Sequence, residues 1–294
     1  MIPDFAAFIL THGRPNRQRT LRWIQRQGYT GPVYLVVDDE DETLPEYQAL
    51  YGDQVIVFSK REAIASFDIG DNFVGVGSCI PRNAIWDLAE NLGYRYFIML
   101  DDDYTSFRFR WNKHLIREFI HITDLDTTWG TMLNWFKTTP PQVVTFAMSQ
   151  GGDFIGGTIG KPTITCKRKA MNAFFCDTQR RFEFPGRLNE DVNAYTELQR
   201  RGFAFLTTWQ VSLEQEATQQ AGGGMTETYR EVGTYVKSFY SVMRCPSAVR
   251  ISYLRDNREG GIPRIHHRVN YDHCAPKIIP ETLQKKAMSS AARS

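Results

Sequence analysis

Tyr96-Phe-Ile-Met-Leu-Asp101-Asp102-Asp103-Tyr104 is the stretch on which the reading of this chain turns. A strand-length apolar run ends abruptly on three adjacent carboxylates. Adjacent carboxylates repel one another, and burying them is costly. A core would not select them, and a plain surface turn has no need of a buried strand leading into it. A hard divalent cation resolves the conflict, because Mg²⁺ and Mn²⁺ take oxygen ligands, often one or two carboxylates together with substrate phosphates. Successive residues of an extended chain point to opposite sides. Asp101 and Asp103 therefore form the candidate metal pair, and Asp102 faces another part of the ligand, a sugar or ribose. The competing reading is a solvated acidic turn, and the strand context weighs against it.

Working outward, similar strand-then-polar units recur. Phe5–Leu10 is an apolar run followed by Thr11-His-Gly-Arg-Pro15. A helix is expected over Asn16–Gln27, with Leu21 and Ile24 inward and Gly28 as its stop. Val33–Val37 ends on Asp38-Asp39-Glu40-Asp41, and Val55–Phe58 is a third strand. Over Asn83–Leu92 the spacing of Ile85, Leu88, Ala89 and Leu92 predicts a helix. Strands alternating with helices imply an α/β fold, with a Rossmann-type, mostly parallel central sheet flanked by helices. Ligands of such sheets bind outside the carboxyl ends of the strands, where the clusters after Leu10, Val37 and Leu100 fall.

The second half is more mixed. A helix is expected over Leu115–Ile122, a strand over Val143–Ala147 and a glycine-rich loop over Gly151–Gly160. A helix over Asp191–Arg201, ended by Gly202, leads into a strand over Phe203–Thr207. Ala221–Gly224 reads as a flexible loop, and the tail from Glu281 lacks apolar periodicity. With no repeat or low-complexity linker, residues 1–294 are expected to form one unit.

The bulk composition excludes several classes. The chain has 294 residues, 42% hydrophobic and 23% charged, enough for a sizeable core. Its net charge of +2 is too mild to declare a nucleic-acid binder by itself. Five scattered cysteines without a CxxC pair speak against a zinc ribbon and against a secreted disulfide framework. The N-terminal apolar run has no basic segment before it and reads as a first strand. No apolar stretch approaches the roughly 20 residues of a membrane span, so a soluble intracellular protein with no membrane partner is expected. Phe73-Val-Gly-Val-Gly-Ser lacks the third glycine of a dinucleotide fingerprint, and no GxxxxGK[ST] is present.

Further candidates follow from residue type and position. In the turn after the first strand, Gly13 allows close backbone approach, and Arg14 can pair with a phosphate. Asp38 or Asp39 can accept hydrogen bonds from a base or ribose. Arg82-Asn83 opens the expected helix, with Asn83 a possible N-cap and Arg82 within reach of a diphosphate. Asp191, after Asn189-Glu190, is an N-cap or a general base. His266-His267 is a surface pair or supplies a metal ligand or phosphate contact. Basic and aromatic residues interleave at Arg14, Arg17, Arg19, Arg22 and Trp23 and again over Phe107–Trp111, as nucleic-acid grooves require, although solvated faces look alike.

His12-Gly-Arg-Pro15, the run Gly28-Tyr-Thr-Gly-Pro-Val-Tyr-Leu-Val-Val-Asp-Asp-Glu-Asp41, Pro81-Arg-Asn-Ala84 and Tyr96–Thr105 together resemble the TET-associated glycosyltransferases of bacteriophages. The resemblance is close over about Phe8–Phe109 and extends further through Asn189-Glu190-Asp191. It implies a GT-A-like fold, with 1–104 as the nucleotide-sugar half, 105–280 as the acceptor half and 281–294 as a flexible tail. It implies that Thr11, Gly13, Arg14 and Asp39 hold the nucleotide, with Arg82 near the phosphates and Asp102 near the sugar. Asp101 and Asp103 would bind Mn²⁺ or Mg²⁺, with His267 as a candidate third ligand, and Asp191 would be the base. The implied reaction moves a sugar, glucose foremost, from a UDP-sugar to 5-hydroxymethylcytosine in double-stranded DNA, in the cytoplasm of an infected bacterial host. Two rivals share parts of this pattern: a glycosyltransferase acting on a glycan, lipid or protein, and a sugar-phosphate nucleotidyltransferase, for which Thr11–Pro15 is a poor phosphate loop.

Overall fold

A computed structural model describes residues 2–68, 77–150, 163–170, 173–215, 234–254 and 264–278. The expected loops at Gly151–Gly160 and Ala221–Gly224 and the tail from Glu281 lie outside the described residues, as does most of Phe73–Ser78.

In chain order the strands are β1 (Phe5–Leu10), β2 (Val33–Asp38), β3 (Val55–Phe58), β4 (Tyr96–Asp101), β5 (Tyr104–Trp111), β6 (Arg117–His121), β7 (Val143–Gln150), β8 (Ile164–Thr165), β9 (Phe174–Asp177), β10 (Ala204–Gln215), β11 (Val249–Leu254) and β12 (Arg264–Val269). The helices are α1 (Arg19–Arg26), α2 (Leu44–Tyr51), α3 (Lys60–Ala65), α4 (Cys79–Asn91), α5 (Leu125–Thr138), α6 (Glu190–Arg200), α7 (Thr234–Arg244) and α8 (Tyr271–Cys274). Ten strands form one sheet in the order β3-β2-β1-β4-β9-β7-β10-β5-β6, with β8 beside β10. Seven of them share one direction, and β5, β8 and β9 oppose it. The sheet is thus mostly parallel, as the alternating pattern implies, and parallel pairing is unbroken from β3 to β4. The antiparallel strands β5, β8 and β9 all follow β4 in the chain. β11 and β12 form a separate hairpin.

β1 is buried at every position because both faces of the sheet are covered. Phe5, Ala7 and Ile9 pack with Leu21 and Ile24 of α1 and with Leu125, Trp129 and Leu133 of α5. Ala6, Phe8 and Leu10 pack with Ile85, Trp86 and Ala89 of α4 and with Val192 and Tyr195 of α6. Truncating one of these large apolar side chains to Ala costs about 2–5 kcal/mol. The result is a rigid three-layer body with the β1, β2 and β4 ends fixed side by side.

Several expectations change. The helix over Asn16–Gln27 is broken at Gln18, into a 3-10 turn over Pro15–Arg17 and α1. Gln18 leaves helical geometry so that its buried amide can donate to Thr11 Oγ1 (2.8 Å) and the Arg14 carbonyl (2.9 Å). α4 starts at Cys79, since Pro81 is tolerated in a first turn, so Arg82 and Asn83 lie inside the helix. Asn83 is no N-cap; it donates to the Phe184 carbonyl and accepts from the Phe184 amide. Trp86 takes the inward place expected of Leu92, which is exposed.

The helix expected over Leu115–Ile122 is a turn and the edge strand β6. Leu115 adopts a positive φ of 58°, and Asn112 Oδ1 accepts from the amides of His114 and Ile116. The following residues pair with β5, Ile120 opposite Phe109. The apolar spacing mimics a helix, but only Ile122 of that set is buried, and the β-branched and aromatic residues favour the extended form. The Phe107–Trp111 segment is likewise β5, with Phe107 and Arg110 buried, so it is not a free binding surface along its length. Among the described residues, no helix is long and apolar enough to cross a membrane.

Candidate active site

The turns after β1, β2 and β4 meet at the carboxyl edge of the sheet, joined by side-chain hydrogen bonds. Thr11 Oγ1 donates to Asp102 Oδ2 (2.8 Å) and shares a 2.7 Å bond with the Tyr47 hydroxyl. That hydroxyl also accepts from the Arg14 amide (2.9 Å). Arg14 Nη1 reaches Asp102 Oδ1 at 3.1 Å. Gly13 has φ +67°, and a Cβ there would meet nothing within 4 Å. Glycine is required for the backbone turn, and the space above it is open to a ligand. The Gly13 amide donates to Asp41 Oδ2 (2.8 Å). His12 Nδ1 lies 2.8 Å from Asp38 Oδ2, and this hydrogen bond raises the imidazole pKa against the opposing effect of burial. Burial alone would raise Asp38, yet His12 and Lys60 hold it below the usual carboxylate value.

Asp101 is the last residue of β4, and Asp102 and Asp103 form the turn after it. Asp102 is buried against Thr11 and Arg14, and its charge acts on both Asp101 and Asp103. Burial pushes Asp101 up to about 6, with Glu190 and Asp102 adding to it and Arg82 opposing. Burial and its two neighbours push Asp103 up to about 7. Asp103 Oδ2 accepts from Gln215 Nε2 at 3.2 Å, whereas its buried Oδ1 has no hydrogen-bond partner. A buried carboxylate oxygen without a partner, beside a second destabilised carboxylate, fits a hard divalent cation in its donor set. The loop is held from below by α1: the Thr20 amide donates to the Asp102 carbonyl (3.1 Å), and Thr20 Oγ1 donates to the Asp101 carbonyl (2.5 Å).

Arg82 is 2% exposed and ties this loop to α6. Its Nη2 donates to Asp101 Oδ1 (2.7 Å) and its Nε to Glu190 Oε1 (2.9 Å). Its guanidinium lies over the Phe174 and Phe184 rings. Burial would lower its pKa, but Asp101 and Glu190 more than compensate, so it stays charged. Asp191, the next residue, takes another partner, Lys169 Nζ at 2.9 Å. Burial pushes the Asp191 carboxyl up, and Lys169, Arg82 and Lys237 together bring it below the usual value. The N-cap of α6 is Asn189, in the left-handed region at φ 54°, and not Asp191, which lies within the first turn. Asn189 Nδ2 donates to the Lys237 carbonyl (2.8 Å) and sits 3.3 Å from His267 Nδ1. Burial, His266 and the lysines at 169 and 237 push His267 down to about 3, so its ring is neutral.

Thr11, Gly13, Arg14, Asp101, Asp102, Asp103 and Arg82 are thus brought to one edge. Asp191 and His267 lie together on the α6 side. Asp39 is set apart: it is exposed, and its Oδ1 accepts from the Lys60 amide (2.9 Å) at the start of α3. Among the described residues, no three His, Cys, Asp or Glu side chains gather as a metal cluster. Sequence reasoning missed Tyr47, Gln18, Glu190 and Lys169. Glu190 had a signal, as an acid beside Asp191 at a helix start; Lys169 is far away in sequence and had none.

Two destabilised carboxylates beside a glycine turn and an arginine, at the end of parallel strands, have the chemistry to receive a phosphorylated ligand. Residues 5–224 match the family model of the TET-Associated Glycosyltransferase. The chain belongs to that family and is a glycosyltransferase. No curated protein matches it in sequence. Solved structures similar to it include glucosyl-3-phosphoglycerate synthase from Mycobacterium tuberculosis with Mn²⁺ and UDP-glucose, at 11% identity and TM-score 0.44, covering 91% of this chain and 90% of that one. A mannosyltransferase from Pyrobaculum calidifontis with GDP-Man and Mn²⁺ has 12% identity and TM-score 0.47, covering 83% and 65%. S. aureus TarS 1-349 with UDP-GlcNAc has 12% identity and TM-score 0.44, covering 83% and 66%. At TM-scores below 0.5, these likenesses add nothing to the family assignment.

Proposed function

We propose that this glycosyltransferase transfers a sugar, glucose foremost, from a UDP-sugar to the hydroxymethyl group of 5-hydroxymethylcytosine in double-stranded DNA. The observation that carries the donor half is the Asp101–Asp103 pair, with its buried, unpartnered Asp103 oxygen, beside the Thr11–Arg14 turn. The acceptor half rests on the family, whose name ties it to TET oxygenases.

Asp101 and Asp103 would hold Mn²⁺ or Mg²⁺, which, when bound, neutralises charge on the leaving diphosphate. The Gly13 turn and Arg14 approach the nucleotide, with Asp39 at its rim and Asp102 holding Arg14 in place. Arg82 keeps Asp101 ionised and oriented. Asp191, held ionised by Lys169, accepts the proton of the attacking hydroxyl. His267 is neutral, the form a metal ligand needs. Weaker metal affinity in His267→Ala would make it a third ligand, and unchanged affinity would leave it with Asp191. The working compartment is proposed to be the cytoplasm of an infected bacterium.

The test is incubation of hydroxymethylated duplex DNA with a panel of UDP-sugars and Mn²⁺, read by mass spectrometry of the nucleosides. A hexose mass gain on 5-hydroxymethylcytosine is expected. Transfer to a glycan or protein, with no gain on DNA, refutes the acceptor.

A further inference from the structure

Outside the site just described, α1 carries a row of like charge. Its sequence, Arg19-Thr-Leu-Arg-Trp-Ile-Gln-Arg26, holds three arginines and no acid. Leu21 and Ile24 are buried against the sheet, which leaves Arg22 and Arg26 exposed on the outer face. Arg19, Arg22, Trp23 and Arg26 line a cavity of about 240 Å³. The Arg26 guanidinium lies 5.6 Å from the centre of the Trp23 ring, and His121 of the exposed strand β6 stacks on Trp23 at 6.4 Å and 14°. The ring thus lies between the Arg26 guanidinium and the His121 imidazole. For a chain whose net charge is only +2, this is a marked concentration of positive charge.

Its position relates it to the site. α1 begins one residue before Thr20, which is hydrogen-bonded to the backbone of Asp101 and Asp102. The arginine row therefore starts at the rim of the carboxylate loop and runs down the flank. From Arg19 to Arg26 it covers about 10.5 Å at 1.5 Å per residue. That matches about three nucleotide steps of 3.4 Å each along the duplex axis.

We propose that the outer face of α1 is a second contact for the acceptor: a surface on which Arg22 and Arg26 bind phosphates of one DNA strand, independent of sequence, with Trp23 fixing Arg26. The inference rests on the DNA reading and adds to it where the duplex lies. A polyphosphate backbone is the occupant that a row of like charges on a rigid helix fits best, because guanidinium groups pair with phosphate oxygens in fixed geometry.

The test uses the full chain, unmodified duplex DNA and the double variant Arg22→Gln/Arg26→Gln. Binding is measured from about 50 to 200 mM salt. Losing two phosphate contacts lowers the salt slope by about 2, so wild-type affinity should fall roughly 12-fold more than that of the variant across this range. UDP-sugar hydrolysis without DNA is expected to be unchanged, since neither residue touches the donor edge. If wild type binds DNA and modifies it, but the variant keeps the same slope and affinity, the α1 surface is overturned while the acceptor reading stands. Losses confined to phosphatidylserine vesicles, with DNA binding intact, would overturn it as well. If wild type neither binds nor modifies DNA, the acceptor reading itself has failed, and the α1 proposal fails with it.

Discussion

Replacing Arg82 by Met removes a charge and keeps most of the side-chain volume. Arg82 is 2% exposed and bonded at 2.7 Å to Asp101 and at 2.9 Å to Glu190. The substitution leaves two carboxylates below the surface without their cation. Breaking a buried ion pair in this way costs about 3–5 kcal/mol, far above the value of a surface pair. Lost cation–π contact with Phe174 and Phe184 adds about 1 kcal/mol. Urea unfolding of the metal-free protein at pH 7.5 should show that loss. Arg82 opposes the rise of the Asp101 pKa, which already stands above its unfolded value, so without Arg82 it rises further and the folded variant binds more protons. The penalty should therefore shrink at pH 5. The triple variant Arg82→Met/Asp101→Asn/Glu190→Gln should recover most of the loss, because a neutral set in the same space is often as stable as a buried ion cluster. A penalty unchanged between pH 7.5 and 5, together with no recovery in the triple variant, would show that the cost is one of packing and refute the electrostatic account.

Three further outcomes follow from the site. Asp101 and Asp103 have folded pKa values of about 6 and 7, above the unfolded value of 3.8, so their contribution is fully present below about pH 4 and lost as pH rises through 7. Metal-free protein should lose on the order of a few kcal/mol across that window, and saturating Mn²⁺ with UDP should flatten the curve; a flat metal-free profile would contradict the shifts. Lys169→Met removes the main cation holding Asp191 down, so the acid limb of the kcat/KM profile should move to higher pH, and an unmoved limb would take Asp191 out of the base role. Gly13→Ala should cost about 1 kcal/mol from its positive φ alone, and Gly13→Asn less, as seen in thermal unfolding; equal losses would mean that crowding, which the open space above Gly13 excludes, is the cause.

The sequence made the donor edge legible because its parts are local. Each of the clusters after Leu10, Val37 and Leu100 follows its own apolar run, and parallel pairing of β1 with β2 and β4 sets the runs side by side. What was illegible depends on partners distant in the chain. Gln18 breaks a helix that propensity would continue, because Thr11 and the Arg14 carbonyl compete for its amide. Leu115–Ile122 carries a helical spacing, yet a turn at Asn112 and an open edge on β5 claim it as a strand. Arg82 seemed a phosphate contact from its place before the Asp strand. Glu190, 108 residues on, turns it inward as a support for Asp101.

The start of α6 gives two adjacent carboxylates opposite tasks. Neighbouring helical residues point about 100° apart, so Glu190 and Asp191 form ion pairs with different partners. Glu190 faces Arg82 and, through it, the proposed metal pair; Asp191 faces Lys169 and the His267 side. Both sit in the first turn, where the helix dipole favours negative charge. The turn that aims them is made by Asn189 at φ 54°, one of the few residue types that enters the left-handed region at low cost. Its amide is fastened to the Lys237 carbonyl and the Ser241 hydroxyl of α7. A shift of α7 would therefore rotate Asn189, and with it both carboxylates. The loop proposed to hold the metal, through Arg82 and Glu190, and the proposed base Asp191 are both tied to one helix start and its bonds to α7.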